Sequence, residues 1–271
     1  MKVGDVLATL SQRLGWRDDT PLEGLLSGSR DTVVTGIATC AMPSVEVVRR
    51  AIAARLNVIL CDGHPYYLYD PLWSSLPGTK EAIASMPEVA EKRRLIEDAG
   101  LAVVRLRSAW NAAQPASAAM SLAAALGLKA SAPPTGQDFV VCDLAGEKVL
   151  QFAKRIHTTG TRLIGDPAWT ISRIAVVPGM ASPARLGAAL RDSRVDAVIA
   201  GEVIEWEGGP YMLDVQATGR KCALMLTGLA DSLDPNADAV ARWARTTFAK
   251  ARVEAFHGNG DFIWSIRGEI A

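Results

Sequence analysis

The sequence predicts an α/β fold in two linked halves with mainly parallel central sheets. Short apolar runs typical of buried strands alternate with amphipathic helical segments along most of the 271 residues. These runs lack the polar alternation of a half-exposed sheet, which favours parallel strands covered on both faces. A small, proline-rich linker at residues 130–136 separates two stretches of the same pattern. We therefore expect domains over residues 1–130 and 131–271, with C-terminal segments able to pack back onto the first half.

The first half contains a predicted βαβ unit. Residues 32–37 are a candidate strand, and Ser44 offers a side-chain oxygen that can cap a following helix. Apolar residues in that helix recur at steps of three and four, at Val45, Val48, Ile52 and Leu56. The chain then continues through a strand at 57–61, a helix at 87–99, a strand at 101–106 and a helix at 116–126.

The second half repeats this alternation. The predicted order is a strand at 139–142, a helix at 147–157, strands at 162–164 and 173–177, a helix at 183–190, strands at 197–200 and 221–226, and a helix at 238–251. Two strands at 253–256 and 261–266 around a glycine-rich turn are predicted to form a closing pair.

The composition excludes several functional classes. Basic and acidic residues both number 29, so no charge excess indicates a nucleic-acid partner. No apolar run approaches the ~18 residues of a membrane helix, and the start lacks a signal peptide, so we expect a cytoplasmic protein. We interpret His157, near a helix end, and His257, in a turn, as structural or solvated. Without a CxxC pair, buried reduced thiols are predicted at Cys40, Cys61, Cys142 and Cys222.

The strand at 57–61 ends in the turn Asp62-Gly63-His64-Pro65, at the sheet edge where sites form in open α/β folds. Residues two apart on an extended chain point to the same side, so the side chains of Asp62 and His64 should converge. A carboxylate beside an imidazole is half of a metal site or an oriented general base. The simpler alternative is a strand-ending turn in which Asp62 accepts bonds from local backbone N–H groups.

Two further segments follow strands of the second half. A glycine turn at Gly179 leads into a helix capped by Ser182 with Pro183 in its first turn, which suits either an anion site or an ordinary βα turn. Glu202 lies just past a strand end, where a carboxyl group could assist a metal or a proton transfer. The alternative there is a solvated loop anchored by Trp206.

Taken together, several segments resemble the NIF-three-like family (Ngg-interacting factor three), also known as GTP cyclohydrolase type 2 homologues. The matching pieces run in order from about residue 30 to 266: residues 34–37, Val48 and Ala51, 57–65, 174–179, 197–202, 205–206, Tyr211, Asp214 and 224–228. The resemblance implies two linked α/β halves, a hexameric ring and two adjacent divalent metals. In the family, the ligands come from a His-His-Pro turn, a later Asp, and a Gly-His…Ser-Glu segment.

This sequence departs from that ligand set. Gly63 stands in place of the first histidine, and Asn111 in place of the aspartate. Leu229 and Leu233 replace the last histidine and glutamate, while Ser232 remains. Two neighbouring cations repel and need anionic bridging ligands, so a dinuclear site in the family's geometry is not expected.

The sequence leaves the choice between a binding protein and an enzyme open. The favoured hypothesis is a divergent member with an eroded metal site that binds a small-molecule ligand or a protein partner. The alternative is a cyclohydrolase-like hydrolase in which one divalent ion (Zn, Mn or Fe) is held by Asp62, His64 and Asp231, with Glu202 as a further acid. A third hypothesis is a structural subunit of a homo-oligomer, hexameric by resemblance.

Overall fold

Two separate five-stranded sheets, each mostly parallel, confirm the predicted α/β fold. The computed structural model describes residues 1–18, 23–68, 77–131, 133, 135–156 and 161–258. Unit 1 consists of residues 1–114 and 236–258, and unit 2 includes residues 115–235. No helix within the described ranges is long and apolar enough to cross a membrane.

The elements in chain order are α1 (Val3–Leu14), β1 (Gly24–Ser27), β2 (Ile37–Cys40), α2 (Val45–Ala53), β3 (Val58–Cys61), α3 (Thr79–Ala84), α4 (Pro87–Asp98), β4 (Ala102–Arg105), α5 (Arg107–Ala113), α6 (Ser117–Ala125), β5 (Val140–Lys148), α7 (Val149–Arg155), β6 (Arg162–Ile164), β7 (Thr170–Met180), α8 (Pro183–Ala189), β8 (Ala197–Glu202), α9 (Glu205–Ala217), β9 (Ala223–Leu226), α10 (Leu229–Leu233), α11 (Asn236–Thr247) and β10 (Val253–Ala255).

The sheet of unit 1 has the order β1-β4-β3-β2-β10. Strands β4, β3, β2 and β10 are parallel, and β1 pairs antiparallel with β4 at the edge. Helices α1, α5 and α11 contribute to the core on one face, and α2 and α4 to the core on the other. Because both faces are covered, β2, β3 and β4 are buried at every position, as the apolar runs predict.

The sheet of unit 2 has the order β5-β7-β8-β9-β6. Strands β7, β8 and β9 are parallel, whereas β5 and β6 pair antiparallel at the two edges. One core contains Leu122 of α6 and Phe152 of α7, and the other contains Leu186 of α8 and Met212 of α9. Antiparallel edge strands on an otherwise parallel sheet are common in folds of this kind.

The division of the chain differs from the predicted boundary at residue 130. Helix α6, which the sequence analysis placed in the first half, packs through Ala119, Leu122 and Ala123 into the core of unit 2. Residues 236–258 return to unit 1, where β10 extends its sheet beside β2. The linker composition was a poor guide because the domain boundary depends on where an alanine-rich helix finds its apolar partners.

Four other predictions need correction or lie outside the described residues. The strand predicted at 32–37 starts only at Ile37, since the Thr35 N–H donates to the Asn57 side chain at 2.8 Å instead of a neighbouring strand. The loop predicted around Trp206 is the first turn of helix α9. The predicted closing strand at 261–266 and the interpretation of His157 lie outside the described residues. The other strand of that predicted pair, β10, pairs parallel with β2.

Candidate functional site

The turn after β3, residues 62–66, is called the β3 turn below. It lies at the carboxyl end of the parallel strands β2, β3 and β4, where the sequence predicts a site. The Asp62 N–H donates to the Cys40 carbonyl at 3.3 Å, and the Gly63 N–H donates to the Ala41 carbonyl at 2.7 Å. The β3 turn therefore stays hydrogen-bonded to the segment that follows β2.

The imidazole of His64 is buried, with an exposed fraction of 3%. Its Nδ1 atom accepts a hydrogen bond from the Tyr66 backbone N–H at 3.1 Å. The His64 and Tyr66 rings pack edge to face, with their centroids 5.8 Å apart. An Nδ1 atom that accepts a hydrogen bond carries no proton, so the neutral ring has its proton on Nε2. A divalent metal could bind Nδ1 only if the Tyr66 hydrogen bond were broken, or Nε2 only if the ring proton moved to Nδ1, which would break the same bond.

The carboxylate of Asp62 has different surroundings, with 19% of its side chain exposed. Burial raises the pKa of Asp62, and the nearby Arg107 and Arg105 guanidinium groups oppose that rise. Arg107 approaches the carboxylate at 3.4 Å, and Arg105 Nε donates to the Asp62 backbone carbonyl at 2.7 Å. Two arginines therefore stand beside the carboxylate that the single-metal hypothesis requires.

Met42 occupies the space in which a side chain at residue 63 would lie. A Cβ atom added to Gly63 would be 2.2 Å from the Met42 sulfur and 3.2 Å from the Ala41 carbonyl oxygen. Contacts of 2.2 Å do not occur, so a histidine here would have to displace the methionine. The position that resembles the family's first histidine is thus occupied by a thioether.

A buried ammonium group supports the β3 turn from helix α4. Lys92 is 2% exposed, and its Nζ atom donates to the Pro65 carbonyl at 2.6 Å. Burial lowers the pKa of Lys92 to about 8. The sequence analysis did not single out this lysine, although its spacing from Val89 and Ile96, three and four residues away, places it on the buried stripe of α4.

Helix α5 carries Asn111, the residue that the sequence resemblance aligns with an aspartate. This asparagine is exposed and offers a neutral amide in place of a carboxylate. Glu23, also missed from sequence, accepts hydrogen bonds from the Ser108 N–H at 2.8 Å and from its hydroxyl at 3.1 Å. Burial raises the pKa of Glu23. Its bonds to the first turn of α5 give this acid a helix-capping role.

Ser232, the retained residue of the last family motif, holds the backbone of unit 2 together. Its Oγ atom accepts a bond from the Gly179 N–H at 3.0 Å and donates to the Leu229 carbonyl at 2.7 Å. A Cβ atom on Gly201 would lie 2.3 Å from this oxygen, so the strand end packs directly against the serine. The Gly179 N–H of the glycine turn is therefore already occupied.

The two leucines of the last motif lie in α10. Leu229 and Leu233 are half-buried, and one Leu233 methyl group lies 3.6 Å from the Cβ position of Gly179. Asp231, between them, is also half-buried. Apolar side chains without lone pairs therefore stand at both positions that the sequence resemblance aligns with ligands.

Glu202, the last residue of β8, is half-buried, and burial raises its pKa. Arg162 opposes this rise, but its guanidinium pairs with Glu205. Asp62 and His64 belong to unit 1, whereas Asp231 and Glu202 belong to unit 2. No group of three or more His, Cys, Asp and Glu side chains within the described ranges could hold a metal ion.

The remaining histidine and the cysteines have structural surroundings. His257 Nε2 lies 3.1 Å from the Asp238 carboxylate on the surface. All four cysteines are buried without a disulfide, as the sequence predicts. Burial raises the pKa of Cys61 to about 12, so this thiol beside the β3 turn carries its proton at neutral pH.

Comparisons with known proteins agree with the resemblance seen in the sequence. The model of the family described as Duf34/NIF3 (NGG1p interacting factor 3) matches residues 1–209. No curated protein sequence gave a match.

Solved structures share the fold at low sequence identity. The Staphylococcus aureus hypothetical protein SA1388 has a TM-score of 0.75 and 18% identity, with 98% of this chain and 99% of that chain covered. A Bacillus cereus protein related to NIF3 has a TM-score of 0.70 and 12% identity, with 98% and 99% covered. Reduced HcgD from Methanocaldococcus jannaschii has a TM-score of 0.59 and 11% identity, with 94% and 97% covered. At these identities the likeness is one of fold.

Proposed function

Because the chain belongs to the Duf34/NIF3 (NGG1p interacting factor 3) family, we propose that it is a divergent member that binds a small ligand or a protein partner without metal-assisted hydrolysis. The observation that carries this proposal is the loss of ligand side chains at three positions, 63, 229 and 233, that the resemblance aligns with metal ligands. Met42 fills the space at Gly63, and leucines occupy positions 229 and 233.

Electrostatics support the same conclusion. Two divalent cations a few ångströms apart are held only by anionic ligands that offset their repulsion. Asn111 contributes no charge, and Arg107 stands 3.4 Å from the Asp62 carboxylate. A second positive centre beside Asp62 would compete with this arginine for the same oxygen atoms.

A melting experiment tests this proposal. Tag-free protein is scanned after treatment with a chelator and again with added Zn²⁺, Mn²⁺ or Fe²⁺. We expect the same melting temperature in all conditions, because a ligand that does not bind the native state cannot stabilise it. A melting temperature that falls on chelation and recovers with one metal would refute the proposal, and His64→Ala would then show whether the β3 turn binds it.

A metal-dependent hydrolase with a rearranged single-metal site is the second candidate. It is favoured by one observation: Asp62 and His64 remain two residues apart at a strand end, with the Asp62 carboxylate partly exposed. One metal held by Asp62 and His64 could activate a water molecule there. If His64→Ala leaves all metal-dependent hydrolysis of nucleotide and phosphoester panels unchanged, this candidate fails.

We also propose a cytoplasmic location and assembly into a homo-oligomer, with a hexameric ring as the form that the family resemblance favours. Mass photometry at nanomolar concentration distinguishes a hexamer from a monomer directly. A single monomer peak that persists at micromolar concentration in light scattering would contradict the assembly and, with it, the idea of a structural ring subunit.

A further inference from the structure

Unit 2 contains a cavity of about 510 Å³ beside the edge strand β5. Its apolar wall is formed by Phe139 and Val141 at the start of β5 and by Ala188 and Ala189 at the end of α8. Pockets for small organic ligands generally have volumes of roughly 300–1,000 Å³ and mostly apolar walls. The cavity therefore has room for one compact organic molecule.

The acidic groups at this cavity are already paired with arginines. Asp138 accepts a bond from Arg185 Nε at 2.8 Å. Arg173, on the cavity wall, binds Asp192 at 2.7 Å and also pairs with Asp143. These carboxylates are therefore unavailable to a cationic ligand, because each would have to give up a guanidinium partner.

One guanidinium at the cavity is not paired with a carboxylate among the described residues. The lining itself carries two arginines, Arg173 and Arg191, and two aspartates, Asp138 and Asp192. Arg191 lines the cavity and is exposed, and its guanidinium has no ion pair or hydrogen bond within the described part of the chain. The amide of Gln137 lies on the same lining and can donate a further bond.

We propose that this cavity binds a small organic anion with an apolar body, such as an aryl or branched alkyl carboxylate. The apolar part contacts Phe139, Val141 and the two alanines, and the anionic group faces Arg191. The proposal concerns residues of unit 2 alone and does not depend on the loss of the metal site. Its recognition chemistry is a guanidinium–oxyanion pair at the rim of an apolar pocket.

Anilinonaphthalene sulfonate, a fluorescent aromatic anion, is a suitable probe. We expect saturable binding of one probe per chain to the native protein, with enhanced fluorescence. Arg191→Gln should weaken binding roughly three- to fivefold, as expected for a partly exposed ion pair. Lys221→Gln, which removes an exposed cation of unit 2 that does not line the cavity, should leave the dissociation constant within about twofold. Phenylnaphthylamine, an uncharged analogue, should not distinguish the wild type from Arg191→Gln.

A second variant tests the apolar wall. Ala188→Phe places a larger side chain in the cavity and should weaken binding of both probes at least roughly tenfold, because the ring displaces the ligand body. Its melting temperature, measured without probe, separates blocked binding from loss of the fold. Absence of saturable binding to the wild type would overturn the proposal. So would equal affinity of the wild type and a folded Ala188→Phe, or equal weakening by the Arg191 and Lys221 variants.

Discussion

The buried lysine beneath the β3 turn gives the sharpest test of the structure. Burial lowers the pKa of Lys92 from 10.5 to about 8, a difference worth roughly 3 kcal/mol. Below pH 8 the amine is charged in both folded and unfolded chains, so the fold bears the full cost of burial. Between about pH 8 and 10.5 the folded protein loses this proton while the unfolded chain keeps it, so stability rises with pH.

Lys92→Met removes this titration and keeps a similar side-chain volume. We therefore expect the free energy of unfolding of the wild type, relative to the variant, to increase by roughly 2–3 kcal/mol between pH 7 and about pH 10. The variant also loses the hydrogen bond to the Pro65 carbonyl, which lowers its free energy of unfolding by about 1 kcal/mol at every pH. Urea unfolding at a series of pH values measures the difference, and contributions from other titrating groups cancel.

Lys80→Met is the matched control, because Lys80 is exposed on α3. Its difference from the wild type should stay constant with pH. If the difference in free energy of unfolding between the wild type and Lys92→Met also stays constant within about 0.5 kcal/mol over this pH range, Lys92 is not held as a buried ammonium. That result would refute the reasoning.

Three further predictions concern the two strand ends. Gly63→Ala should destabilise the protein by about 1–3 kcal/mol because its methyl group would contact Met42. In a Met42→Ala background the same substitution should cost less, and thermal unfolding that gives additive losses for the two substitutions would contradict this. Ser232→Ala removes the acceptor of the buried Gly179 N–H and should lower the free energy of unfolding by about 1–3 kcal/mol. The exposed control Ser85→Ala should lower it by less than about 0.5 kcal/mol, and equal effects in urea unfolding would show that the Ser232 hydrogen bond does not stabilise the fold. The pKa of Asp62 is raised in the fold, so its ionisation lowers stability as pH rises, and Asp62→Asn should gain stability relative to the wild type between about pH 3 and 7. A difference that is independent of pH would count against that burial.

The βαβ unit could be predicted because several local signals agree there. Ser44 caps α2 by accepting the Val47 N–H at 3.2 Å, as its position before the apolar stripe indicates. The following strand is uniformly apolar and stops before Pro65, which cannot donate to a ladder. Such features depend on neighbours in sequence, so they are visible without the fold.

Helix α9 was missed because its sequence, with Gly208, Gly209 and Pro210, is typical of a loop. In the structure Gly208 packs against Val203, whose Cβ atom lies 2.6 Å from the position of an added Cβ atom. The glycine is therefore needed for close packing within a helix, and tertiary contacts override its low helix propensity. Only the fold reveals that requirement.

The place of the β3 turn in the fold could be predicted from the sequence, but its contacts could not. The edge beyond β3 follows from the apolar strand and its turn. The Met42 sulfur in the space beside Gly63 depends on two separate chain segments meeting after β2 and β3, which no local pattern encodes. Lys92 likewise reaches Pro65 from a helix that begins more than twenty residues later in the chain.

Metal content of the purified protein tests the central claim most directly. Tag-free protein, expressed in medium supplemented with zinc, manganese and iron, is desalted and analysed by inductively coupled plasma mass spectrometry, with His64→Ala as the matched control. We predict well under 0.1 equivalents of any divalent transition metal in both proteins, because Gly63, Asn111, Leu229 and Leu233 leave too few imidazole and carboxylate ligands to hold one. One to two equivalents in the wild type, lost in His64→Ala, would contradict it.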